Sequence, residues 1–205
     1  MVRRQRGPRG DVDRARIVQA ATRVVARDGA AGLSLRAVAA EADISPNAIY
    51  TYVADMRDLA NSVADDYIGT WDLGVLRSAE PARQAAARFV AHVWEQFVAH
   101  PGQADLLARY RIVGPNALAL QEALLTFFTT RAGMGLKEAG SATYLLTTWL
   151  HGRALLRASD AEEIPPALLE GIELDDYPLT LAASRLPADD LDELDLLLDA
   201  LGLGS

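Results

Sequence analysis

No cysteine occurs anywhere in the 205 residues, which removes disulfides and thiolate chemistry together. Histidine is nearly as scarce. The three present, at positions 92, 100 and 151, have no metal-ligand spacing, and no H-E-x-x-H is found. There is no G-x-S-x-G and no P-loop, and "GMG" at 133–135 is too short to count as one. The acidic run "DDLDELD" lacks the glycine that a calcium loop needs and reads as a solvated helix face. These absences predict no metal, no cofactor and no catalytic centre. No apolar run approaches the roughly 20 residues that cross a bilayer. Nor does an apolar stretch of secretory length follow the basic start "MVRRQRGPRG". A cytoplasmic protein with no membrane partner is expected.

Basic residues are outnumbered too, 20 against 28 acids, for a net charge of −8. The deficit is uneven. Residues 1–57 hold ten arginines against six acids, a net +4, and the remainder ten basic residues against twenty-two acids, a net −12. A basic head on an acidic body suits a polyanion partner for the head alone. Half the chain is hydrophobic, enough for a real core in one or two domains.

What is present is helical periodicity, with nothing that alternates like a strand for long. Ile17, Ala21, Val24 and Val25 recur at i, i+4, i+7 and i+8, predicting a helix over 13–28 that Asp28-Gly29 stops. Ser34 is suited to cap a second helix, which buries Leu35, Val38, Ala39 and Ala42 on one stripe. Ser45-Pro46 is another start signal, and Asp55 opens a fourth helix to about Leu73. The remainder predicts helices at about 81–100, 103–111, 117–132, 136–158 and 188–201. Pro101-Gly102 is read as a break, and "EEIPPALLEGIELDDYP" as a short helix in a loop-rich link. The expected fold is all-α: an N-terminal arm and three-helix helix-turn-helix domain over 1–57, then a helical ligand-binding and dimerisation domain over 58–205.

One local absence carries the functional reading. Between Ser45 and Ala54 there is no acid, in a chain where acids are common. Ala42-Asp43-Ile44 is too short for the flanking helices to run antiparallel, so they must cross steeply. Asp43 tolerates the left-handed turn this requires, less easily than glycine. Ile44, Ile49 and Val53 then point to the small core, leaving Pro46, Asn47, Ala48, Tyr50 and Thr51 outward and Tyr52 at the edge. Such a set suits a major groove. Asn47 can read adenine edges, Ala48 can pack on a thymine methyl, and Tyr50, Thr51 and Tyr52 can reach phosphates. The N-termini of the second and fourth helices can also present backbone N–H groups to phosphate. The plainer alternative is a surface helix whose tyrosines lie over the core.

The stretch "RARIVQAATRVVARDGAAGLSLRAVAAEADISPNAIYTYVADMRDLANSVADD" resembles the DNA-binding domain of the tetracycline-repressor (TetR) family. The tail "YPLTLAASRLPADDLDELDLLLDALGLG" is similar to that of the tetracycline-repressor-like subgroup. The resemblance implies a dimer that binds a palindromic double-stranded operator and releases it when a small molecule enters the body. It implies DNA-facing roles for Ser34, Arg36, Ser45, Asn47, Ala48, Tyr50, Thr51, Tyr52 and Arg57. Two positions depart from the family pattern: Asp43 replaces a frequent turn glycine, and Met56 stands where many members have a phosphate-binding lysine. Arg57 points about 100° away from Met56 around the helix. The tail arginines Arg3, Arg4, Arg6 and Arg9 are a second source of positive charge, in the manner of a homeodomain arm.

For the body, the helix at 136–158 and a leucine stripe at 191, 194, 198 and 201 are the expected dimer elements, together a four-helix bundle. A cavity is expected from Trp71, Trp94, Phe97, Tyr110, Phe127, Trp149 and His151, with Arg109 to hold an anion. Two other classes stay open on the residues alone: an all-α enzyme using His151 with Arg153, and a small-molecule-binding protein that has lost operator binding.

Overall fold

The structure is a computed structural model that describes residues 13–156, 164–186 and 193–204. These residues form helices and no strand. The tail arginines and Leu191 lie outside the described residues.

The head begins with α1 (Arg14–Asp28), α2 (Leu35–Ala42), α3 (Pro46–Ile49) and α4 (Met56–Ile68). Capping fixes where three of them start. Asp13 accepts from the Arg16 N–H, Ser34 from the Ala37 N–H and Asp55 from the Asp58 N–H, each worth about 1 kcal/mol. Ser45 occupies the N-cap of α3, but its hydroxyl makes no capping bond. Asp43 takes the left-handed turn, φ 57° and ψ 48°. Gly29 also has positive φ, 72°, but with ψ 178°; that is the extended region open essentially to glycine alone, not the left-handed helical one. Ile17, Val24, Val38, Ala42, Ile49, Val53 and Leu59 are buried, and Leu35 and Ile44 pack half-buried against them.

The third helix is shorter than the expected rod over 46–53. It ends at Ile49, and tight turns follow, Thr51 N–H donating to Ala48 and Tyr52 and Val53 N–H to Ile49. Two tyrosines, a threonine and a valine are indifferent helix formers, and Val53 still reaches the core. The fourth helix stops at Ile68, short of Leu73, and a 3-10 turn over Leu73–Arg77 starts where Asp72 caps the Gly74 N–H.

The body contains α5 (Ala82–Ala99), α6 (Pro101–Arg109), α7 (Pro115–Thr130), α8 (Leu136–Leu156), α9 (Pro178–Ser184) and α10 (Glu193–Ala200). The link before α9 holds two exposed 3-10 turns instead of the short helix expected there. As expected, the long helix breaks before Pro101-Gly102, α5 ending at Ala99, and the pair itself opens α6. Proline suits a first helical position, and Gly102 answers a close approach. A Cβ there would fall well inside contact distance of the Val25 carbonyl oxygen and 3.2 Å from the Gly29 Cα, both on α1's last turn and cap.

α4 joins the two halves. It packs on α1 in the head and on α6 and α7 in the body, and one buried cluster runs through both. The division expected at 57/58 thus falls in its first turn. Asp65, buried on α4, caps α7 from outside, accepting from the Ala117 N–H at 2.8 Å and the Asn116 N–H at 3.3 Å. Gly114 is needed beside it, because a Cβ there would collide with the carboxylate. Asn61, one turn earlier, makes two bonds to the Val113 backbone, 2.7 and 2.9 Å.

The leucine stripe of α10 is turned inward. Leu198 and Leu201 are buried within the single chain and Leu194 is half-buried, while Leu196 is 73% exposed. Arg83 of α5 explains the rotation: it binds the carboxylates of Asp195 and Asp199 and the Leu203 carbonyl, which holds the polar side of α10 down.

Candidate nucleic-acid interface and ligand cavity

The C-terminal end of the segment 45–54 is held by one side chain from α1, and Ile49 and Val53 of the segment by the core. Arg14 donates to both oxygens of Asp58, at 2.6 and 3.0 Å, to the Tyr52 carbonyl at 2.8 Å and to Ser62 Oγ at 2.9 Å. Asp58 in turn accepts from the Ala54 N–H at 2.9 Å. The Arg14 bonds first, then the Ala54 N–H, hold the Asp58 carboxyl below its ordinary range. This clamp fixes the C-terminal end of the stretch, at Tyr52 and Ala54. In the sequence Arg14 and Asp58 register only as charges on opposite sides of the head–body division.

On that support Ser45, Asn47, Tyr50 and Thr51 are exposed, and Ala48 and Tyr52 half-buried. Tyr50 is 55% exposed, too open to be core. Ser34 and Arg36 are exposed at the start of α2, which packs on α3. Ser34's oxygen is already engaged as a cap. Arg57 is placed differently: its guanidinium lies 6.0 Å from the centre of the Tyr110 ring, at a cleft between head and body. Much of the head's positive charge is met internally, Arg14 by Asp58, Arg23 by Glu41, and Arg27 by Asp28 and Glu41. Arg36 has no ion-pair partner among the described residues, so it is the head's open cation beside α3.

A cavity of about 690 Å³ opens between α4, α5, α6, α7 and α8. Of the expected residues, Trp71, Phe97, Arg109, Tyr110 and His151 line it. Trp94, Phe127 and Trp149 do not. Phe127 is buried against Phe128, ring centres 5.2 Å apart. Trp94 and Trp149 flank Arg153, at 4.9 and 5.8 Å, and Arg153 pairs with Glu193 of α10 at 3.0 Å. Those two tryptophans therefore fasten α10 to the body, and Arg153 is occupied there rather than beside His151. Trp149 is two residues from His151, about 200° around α8.

Several lining residues went unrecognised in the sequence. Arg111 and Ile112 follow Tyr110, and Thr143 and Thr147 share one face of α8 with His151. Thr143 is 5% exposed and its Oγ1 has no hydrogen-bond partner. His151 Nδ1 meets the Thr147 carbonyl, so Nδ1 carries the proton and Nε2 is left for another partner. A recurrence at 143, 147 and 151 was readable as a helix face. Which helix would cover it was not.

Similarity to known proteins follows the same division. Residues 17–63 match the model of bacterial regulatory proteins of the tetR family, and residues 80–195 match the tetracyclin repressor-like C-terminal domain. An HTH-type transcriptional regulator from Saccharopolyspora erythraea is 26% identical over 178 residues, 85% of this chain and 75% of the relative. Among solved structures, a possible TetR family transcriptional regulator from Streptomyces coelicolor A3(2) is 26% identical with a TM-score of 0.73, covering 92% of this chain and 98% of the other. Apo ActR from Streptomyces coelicolor has a TM-score of 0.79 at 20% identity, covering 96% and 100%.

Proposed function

The chain belongs to the tetR family of bacterial regulatory proteins, and from that premise we propose how it works: as a cytoplasmic dimer that represses transcription from a palindromic operator and lets go when a small molecule fills the body. The observation that carries this reading is the acid-free, outward stretch at 45–54, clamped by Arg14 and Asp58. Asn47 and Ala48 read base edges. Tyr50, Thr51 and Tyr52 pack on the sugar–phosphate backbone, with Ser34, Arg36 and Ser45 beside them. Arg57 serves the head–body joint through Tyr110 before it serves DNA. The arm and helices over 1–57 form the reading head, and 58–205 the body, with α4 shared between them.

One head reads only a few base pairs, so two must act together. The outward face of α8 supplies a contact. Leu145 and Leu155 are exposed there, with the small residues Ser141 and Gly152 beside them. Small residues at the crossing let two copies of α8 approach closely.

The route from cavity to head runs along α4. The segment Tyr110–Ile112 lines the cavity, and Val113, Asn116 and Ala117 just beyond it are bonded to Asn61 and Asp65 of α4. An effector that draws this segment inward moves α4 and changes the spacing of the two heads. It shifts the equilibrium only by its differential affinity for the two spacings.

Titration of DNA from upstream of the protein's own gene tests the reading. The dimer is expected to lose affinity about tenfold or more between 50 and 200 mM salt as phosphate contacts give way to counterions. Binding that ignores salt would refute phosphate engagement by the head.

A further inference from the structure

The charge on the cavity wall does not match the charge of the body. The body is strongly acidic by sequence, yet no aspartate or glutamate lines the cavity, and Arg109 and Arg111 do. Arg109 and Arg111 have no ion-pair or hydrogen-bond partner among the described residues, whereas Arg14, Arg23, Arg27, Arg83, Arg88 and Arg153 are each met by a carboxylate. Two unneutralised guanidiniums 200° apart on a helix would diverge. Here α6 ends at Arg109, and Tyr110 is extended at φ −130° and ψ 139°, so Arg111 stands on irregular backbone beside the same opening.

Another part of the wall is aromatic. Trp71 and Phe97 form one side, meeting edge to face at 5.9 Å, with the fully buried Phe89 near them. On α8, the Thr143 hydroxyl is buried without a partner among the described residues, a group that costs stability until something bonds to it. The volume, about 690 Å³, is that of a site for a drug-sized molecule.

We propose that the cavity takes an aromatic acid: its ring system lies against Trp71 and Phe97, its anionic group is held by the exposed Arg109 and Arg111, and a polar substituent reaching the buried face of α8 bonds to Thr143 Oγ1. His151, its Nδ1–H committed to Thr147, offers Nε2 as an acceptor for a ligand hydroxyl. This inference rests on the effector-responsive reading above and adds the chemical class. A cationic effector would leave two arginines opposed to it and no carboxylate to receive it.

A dye pair isolates the charge. 8-Anilino-1-naphthalenesulfonate and N-phenyl-1-naphthylamine share their aromatic frame and differ in the sulfonate. The full-length protein is expected to bind the sulfonate roughly ten- to a hundredfold more tightly, the span of one charge-assisted contact. Arg109→Gln with Arg111→Gln should erase that preference and leave the neutral dye's affinity unchanged; each single variant should lose part of it, which serves if the pair does not fold. Gly140→Trp should block both dyes, because Gly140 lines the cavity and a Cβ there meets nothing within 4 Å. Equal affinity for the two dyes, no binding of either, a preference that survives the double variant, or sulfonate binding indifferent to Gly140→Trp would each overturn the proposal. Operator titration without dye keeps the two readings apart. Intact DNA binding with no charge preference sinks the ligand class alone, and absent DNA binding by the wild type sinks the regulator reading.

Discussion

Gly102→Ala is expected to destabilise the protein by ~3 kcal/mol or more, although it adds one methyl group to a helix that alanine normally favours. The added carbon has nowhere to go. It would stand inside contact distance of the Val25 carbonyl oxygen, 3.1 Å from Val25 Cγ1 and 3.2 Å from the Gly29 Cα. Two of those atoms are backbone and cannot rotate aside, so α6 must lift from α1. Ala104, Leu106 and Leu107 of α6 are buried and lose contacts with it. For a chain of this length the loss corresponds to a fall in melting temperature of about 6–12 °C, measurable by circular dichroism. Gly140→Ala is the control. It lies within α8, its Cβ would meet nothing within 4 Å, and it should gain up to about 1 kcal/mol from helix propensity. A wild-type melting curve for Gly102→Ala would show that head and body are not in contact there.

The second large effect concerns assembly. Leu145→Glu with Leu155→Glu is expected to convert the dimer to monomers without changing the far-ultraviolet helical signal, since both leucines are exposed in the single chain, at 43% and 57%. Two-fold symmetry doubles each change, so four buried leucines become four carboxylates that face one another. At about 1.5–3 kcal/mol per leucine, the loss is several orders of magnitude in the dimer constant, before repulsion is added. Sedimentation at micromolar concentration reads the mass directly. Operator affinity should fall by about a hundredfold or more, because each head must then bind alone and forfeits the effective concentration its partner supplied. A dimer that persists in the double variant would move the interface away from this face of α8.

What the sequence made legible was local. Caps at Ser34 and Asp55, the turn at Asp43 and the acid-free run from Ser45 to Ala54 are each decided within a few residues, and each stands where the pattern put it. What it hid was coverage. Periodicity finds an apolar or aromatic face but not the element that lies over it. Trp94 and Trp149 have the composition of pocket residues, yet an arginine between them claims both for α10. The α10 leucines have the spacing of an interface, yet Arg83 turns that side inward. Arg14 and Asp58 are 44 residues apart, and Asp65 caps a helix 52 residues away; no window of sequence contains either pair. Gly102 shows the same limit in reverse. Proline and glycine together read as a break, and the helix does break there, but the close approach that requires the glycine was not readable.

The central claim is that the 45–54 segment reads DNA, with Asn47 facing bases and Tyr50 facing the backbone. It is tested most directly by titrating wild type, Asn47→Ala and Tyr50→Ala against the operator and against duplexes in which each base pair is exchanged in turn. Asn47→Ala is expected to cost roughly 1–3 kcal/mol on the operator and to lose discrimination at one base pair in each half-site, symmetrically, while Tyr50→Ala weakens every duplex alike. An Asn47→Ala protein whose affinity falls equally on all duplexes would contradict the account.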